Sequence, residues 1–181
     1  FLAGQSIWLS LRYAAQQTFR VDDQRINNFL EQTYQNSSKM DCQPSLLLIT
    51  SLSGLDPTKQ TAATMPPISS FTSPFIGTSS GDAAKMLQSV AAPNIVDSNL
   101  FAVLDERSLY DDSGLIVRVK DGVVDHVRVH FDTINTELIH IQVMTGDIAE
   151  TNFMAGEGGV FRVRSDGSKK GGPAPRKKLG G

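Results

Sequence analysis

The chain has 181 residues, of which 40% are hydrophobic and 20% charged, with a formal charge of −2 and a single cysteine. That length fits one ordinary domain, and the composition excludes collagen-like, wholly disordered and disulfide-scaffold architectures. No run approaches the roughly 18 consecutive apolar residues of a membrane-spanning helix, and the lone Cys42 can build neither an internal disulfide nor a multi-cysteine metal centre.

The first six residues are too polar and too short for an intact signal peptide. With the single cysteine, that favours a cytoplasmic location. Residues 6–13 alternate Ile7, Leu9, Leu11 and Tyr13 with Ser6, Trp8, Ser10 and Arg12, the period of a strand. Asp22 is a good N-cap, and Asp23 suits the positive end of a helix dipole. Ile26, Phe29, Leu30 and Tyr34 then share one stripe, so the spacing predicts a helix over 22–35. Ser45–Leu52 has the length of a buried strand. Residues 51–80 contain 18 Ser, Thr, Pro or Gly out of 30, so 52–78 reads as a long loop of the functional or disordered kind. Phe71, Phe75 and Ile76 are expected to pin its last third to the core. Ser79 and Asp82 open a second helix, which Pro93 stops.

From Asn99 the pattern turns to β. Leu100–Asp105 reads as a strand. Alternation recurs at Leu115/Val117/Val119, at Val123/Val127/Val129/Phe131 and at Ile139/Ile141/Val143, with Asp121-Gly122 as a hairpin signal between the first two. Thr145-Gly146-Asp147 opens a short helical turn, and Gly159–Arg164 makes a final strand. The expected architecture is a single α+β domain over 1–164, an antiparallel meander packed on one face by the two main helices.

Register bears on function. A two-residue Asp121-Gly122 loop would set Val117 opposite His126, apolar against polar. We therefore expect a three-residue loop or a bulge, with Gly122 at positive φ and Leu115 opposite Val127. Arg118, His126, Arg128, His130 and His140 then gather on one sheet face, with His130 directly across from His140. Such a face suits a solvated surface, an anionic ligand, or a His130–His140 metal or acid–base site that lacks an evident third ligand.

Two motifs point toward an enzyme instead. Gly77-Thr78-Ser79-Ser80-Gly81 matches the G-x-S-x-G nucleophile elbow, which makes Ser79 a candidate nucleophile. Pro74 in the preceding segment and the meander downstream count against a hydrolase sheet, and an N-cap role suits Ser79 better. Asp105, Glu106, Asp111 and Asp112 could hold a hard cation for a metal-assisted hydrolase, although they match no calcium loop, and pairing with Arg107 explains them as well. No motif calls for a cofactor, and the expected ligand-binding metal set is none.

The charge is unevenly placed. Residues 165–181 carry Lys169, Lys170, Arg176, Lys177 and Lys178 against Asp166, a net +4, so residues 1–164 sum to −6. This basic Gly/Pro stretch reads as a flexible tail that could contact nucleic acid or an acidic surface, with Lys177 and Lys178 as its candidate binding residues. The terminal Leu-Gly-Gly resembles the end of ubiquitin-like modifiers.

The stretch Leu100-Phe101-Ala102-Val103-Leu104-Asp105-Glu106-Arg107-Ser108, the following Asp111-Asp112, and the ending Gly159-Val160-Phe161-Arg162 resemble an uncharacterised α+β domain-of-unknown-function family of filamentous fungi and bacteria. The likeness covers residues 98–164. It implies an α+β fold and brings no assigned activity or functional residues. The expected function is non-catalytic recognition of a protein or anionic partner through the Arg/His face or the tail.

Overall fold

The computed structural model describes residues 12–17, 21–53, 62–90, 96–143, 146–155 and 158–163. Strands β1 (Arg12–Gln17), β2 (Leu46–Leu48), β3 (Val96–Leu104), β4 (Ser113–Lys120) and β5 (Val123–His130) form one sheet in the order β2-β1-β3-β4-β5. β1 is parallel to β2 and to β3, whereas β3, β4 and β5 form an antiparallel meander. The α+β domain with a late meander is as expected, and the parallel strands enlarge its sheet. Residues 1–11, most of the strand expected over 6–13, lie outside the described residues, as does the tail with Lys177 and Lys178.

Helix α1 (Asp23–Lys39) follows β1, and α2 (Ser80–Val90) precedes β3. They cover opposite faces of the sheet, which corrects the one-faced packing. Ile26, Phe29, Leu30 and Tyr34 of α1 are buried with Leu46, Leu48, Leu100, Ala102, Leu104, Ile116 and Val127. Ala83, Ala84 and Leu87 of α2 pack with the alternate positions Leu47, Ile49, Phe101, Val103 and Val117. Leu46-Leu47-Leu48 and Ile116-Val117 are therefore continuous apolar runs because both of their faces are covered.

This two-sided burial also corrects the register. Lys120 pairs with Val123 across a two-residue loop, with Asp121 at φ 51° and Gly122 at φ 78°. Both loop residues are left-handed, as a type I′ hairpin requires. Leu115 faces Arg128 and Val117 faces His126, while Ile116 faces Val127. Matching polar to polar across the hairpin fails as a criterion here, because α2 and β3 bury Val117 while His126 lies exposed on the edge strand.

The third strand of the expected meander is instead helix α3 (Phe131–Val143), which begins directly after β5. Its buried stripe is Phe131, Ile134 and Leu138, while Val143 is 64% exposed. The stripe is masked by the buried polar residues Thr133, Asn135, Thr136 and Glu137. Asn135 explains the pattern. Its Oδ1 accepts from the Ser45 N–H and hydroxyl at 3.0 and 2.6 Å, and its Nδ2 donates to Ser37 Oγ and the Gln43 carbonyl, both at 3.0 Å. One amide joins α3 to α1 and to the approach of β2, with each bond satisfied.

Helix α4 (Ile148–Met154) starts at Asp147, whose side chain accepts from Ala149 N–H, as the helical turn was expected to. The expected last strand reduces to one bridge, in which Phe161 N–H donates to the Arg128 carbonyl and His130 N–H to the Phe161 carbonyl, both at 2.8 Å. Among the described residues, no helix is long and apolar enough to cross a membrane.

Candidate functional site

The path of the chain creates a switch point. From β1 it crosses to β2 through α1 on one face, then to β3 through α2 on the other. In open sheets built this way, connections diverge at the carboxyl ends of the central strands and leave a crevice there. The carboxyl ends of β1 and β3 lie together because these strands are parallel and paired.

Three segments line a cleft of about 470 Å³ at that edge: Val21-Asp22-Asp23 entering α1, Ser70–Ser73 with Ile76 from the long loop, and Leu109 after β3. Each is held in place by identifiable chemistry. Asp22 Oδ1 accepts from Arg25 N–H at 2.7 Å and caps α1, with Val21 buried beneath it. The loop is tied to α1 where Ile68 N–H donates to Asn27 Oδ1 at 2.8 Å, and to the far face by the fully buried Phe75. Phe71 packs partly buried against the core, but Ile76 is 42% exposed, which corrects its expected role as a core pin.

Leu109 sits in a 3-10 turn, Arg107–Leu109, that Arg25 holds from α1. Arg25 Nε donates to the Ser108 carbonyl at 2.8 Å, one terminal nitrogen donates to the Asp111 carbonyl at 2.6 Å, and the other meets Asp112 Oδ1 at 2.7 Å. The guanidinium also lies over the Phe131 ring, 5.1 Å from its centre. Nothing in the spacing of the sequence singles out Arg25. The only hint is an odd cation on the first turn of a helix, where acidic residues are favoured.

The expected Arg/His face does not assemble. Arg128 and His130 share a face with His126, but Arg118 lies on the opposite face, and His140 is on α3. His130 and His140 are therefore not cross-strand partners, and the proposed two-histidine centre falls with them. Four of the five side chains also have carboxylate partners. Arg128 binds both oxygens of Asp105 and donates to Ser113 Oγ. Arg118 meets Asp147 at 2.9 Å, His130 Nδ1 lies 2.9 Å from Asp132, and His140 Nδ1 lies 3.6 Å from the buried Glu137. His126 is exposed, and its carbonyl accepts from Asn152.

Of the acidic cluster, Glu106 is exposed, whereas Asp105, Asp111 and Asp112 are bound to polar side chains of the chain. Burial pushes the Asp105 carboxyl up, but Arg128 and Ser108 outweigh it and hold the group below the ordinary carboxylate range. Asp111 follows the same balance, with burial opposed by Ser113 and Arg107. Asp112 joins Arg25 and Gln32. Among the described residues, no three His, Cys, Asp or Glu side chains converge as a metal ion would need.

Ser79 is an N-cap. Its hydroxyl accepts from Asp82 N–H at 3.1 Å, as an N-cap does, and donates to Asp82 Oδ2 at 2.8 Å.

No family model matches the chain, and no curated protein or solved structure is detectably similar to it.

Proposed function

We propose that this chain is a non-catalytic recognition domain for a protein partner, and that the partner seats in the cleft at the carboxyl edge of β1 and β3. The observation that carries this reading is the position of the cleft. It lies at the switch point of the sheet, where a fold of this kind binds what it binds. Its lining mixes apolar side chains, hydroxyls and carboxylates, as interface cores with a polar rim do. The next residue after Leu109, Tyr110, is 80% exposed, and aromatic side chains of this kind commonly anchor partners.

The catalytic alternatives draw less support. A serine nucleophile needs a hydroxyl free to pass its proton to a base, whereas the Ser79 hydroxyl is committed to its own helix. A metal-assisted centre at Asp105 needs carboxylate oxygens open to a cation, and those oxygens are bonded to Arg128 and Ser108.

Peptide-phage panning on the full chain tests this reading. Selected peptides should lose binding to Thr72→Trp and Ser70→Trp, two exposed lining positions where an indole fills the cleft without disturbing the core. Peptides that bind both variants as well as the parent would refute the cleft. Ester turnover that disappears in Ser79→Ala, with the fold intact, would restore the hydrolase.

A further inference from the structure

Resting on that reading, we infer that the cleft takes an extended basic segment, with lysine or arginine side chains about four residues apart and an apolar residue between them. The charge on the cleft wall is the first reason. Asp22 and Asp23 both line it, and neither makes an ion pair with a described residue. Among the described residues, Asp22 is engaged as a helix cap, through Oδ1. Arg25, on the first turn of α1, turns its guanidinium to Asp112 and to the carbonyls of Ser108 and Asp111, so it does not neutralise these carboxylates.

Length is the second reason. A second depression, of about 620 Å³, shares Asp22 with the cleft and runs along α1 past Arg25, whose charge is taken up by Asp112, and Asn28 to Glu31, whose side chain is exposed. At 1.5 Å per residue, Asp22 and Glu31 stand about 13 Å apart along the helix, the reach of roughly four extended residues. Two depressions that meet at Asp22, with carboxylates at both ends, fit an extended peptide better than a compact ligand. Shape chemistry is the third reason. Val21, Phe71, Ile76 and Leu109 give the cleft an apolar side, of which Ile76 is 42% exposed. A net charge of −6 on residues 1–164 would draw a basic segment in and repel an acidic one.

The test is fluorescence anisotropy of the full chain with labelled peptides of about ten residues. One carries two lysines about four apart beside leucines, and the others replace the lysines with glutamates or with methionines. The lysine peptide should bind roughly tenfold tighter than the glutamate peptide, the scale of two exposed ion pairs gained against two repulsions. The preference should shrink in Asp23→Asn/Glu31→Gln, and persist in Asp125→Asn at the exposed hairpin. Circular dichroism checks that each variant is folded. Equal binding of all three peptides, or a lysine preference unmoved by the double variant, overturns the inference. If the methionine or glutamate peptide binds best and Thr72→Trp abolishes it, the cleft stands and only its basic occupant is wrong. If Thr72→Trp affects no peptide, or none binds, both readings fall.

Discussion

Arg25 anchors the rim of the cleft through three hydrogen bonds to one loop, and its side chain is only 19% exposed. Replacing it with alanine leaves Asp112 and two carbonyls short of a partner. The expected loss is about 2–3 kcal/mol in urea unfolding, because the guanidinium is largely shielded and two of the abandoned acceptors are backbone groups, while the more exposed Asp112 regains water. Lysine should recover less than half, since a single ammonium cannot reproduce the planar fork. A loss below about 0.5 kcal/mol for Arg25→Ala would mean that the loop holds itself. At Ser79 the expectation is smaller and equally specific. Ser79→Ala should cost about 1 kcal/mol as a lost cap, whereas Ser79→Asp should retain most of it. Caps of this kind were legible from sequence, because Asp22, Ser79 and Asp147 each act on amides two or three residues away. Arg25 was not legible, because its partners are more than 80 positions distant.

The elements that sequence identified are those whose periodicity reflects one buried face. Helix α1 has such a face, and its stripe of Ile26, Phe29, Leu30 and Tyr34 is the one observed. Helix α3 does not. It contacts α1, the sheet and α4, so polar residues with internal partners replace the apolar ones that would have revealed it. Residues 139–143 then look like an alternating strand by accident of five residues. The same cause misplaced the register at β4, where burial on both faces removes the alternation that would fix it. Two substitutions test this account. Asn135→Ala strands the amide of Ser45 and removes bonds to three further groups, and it should cost roughly 3 kcal/mol by denaturant titration; a near-neutral result would show that the amide network is replaceable. Gly122→Val puts a β-branched residue at φ 78°, and should cost about 1–2 kcal/mol while Gly158→Val, with open space around it, costs less.

At the scale of the molecule, carboxylates are the acid-sensitive element. Asp105, Asp111 and Asp132 are held below their ordinary values. In each, burial raises the pKa but is outweighed, at Asp132 by Thr133, Arg162 and His130. A carboxyl depressed in the folded state contributes stability that is present above its unfolded value, near pH 4, and lost as pH falls through the folded one. The urea midpoint should therefore drop steeply below about pH 4. In Arg128→Met the slope in that range should be shallower, since Asp105 then keeps its burial but loses the cation that depressed it. An unchanged slope would assign the acid limb to other groups.

The cleft is a property of the whole chain and was only partly legible. Its lining comes from residues 21–23, 70–76 and 109, which only the winding of the sheet brings together. The sequence marked the long Ser/Thr/Pro-rich loop as a segment to suspect, and that loop supplies one wall. The Arg/His face looked basic because a sequence shows cations without their counterions, and Asp105 and Asp147 meet Arg128 and Arg118 only in three dimensions.

The most direct test is amide chemical-shift mapping during titration with the lysine-bearing peptide. The account predicts perturbations concentrated at Val21–Asp23, Ser70–Ile76 and Leu109-Tyr110, extending along α1 toward Glu31. Perturbations centred on His126, Arg128 and His130 of β5, with the cleft silent, would contradict it and return recognition to the sheet face.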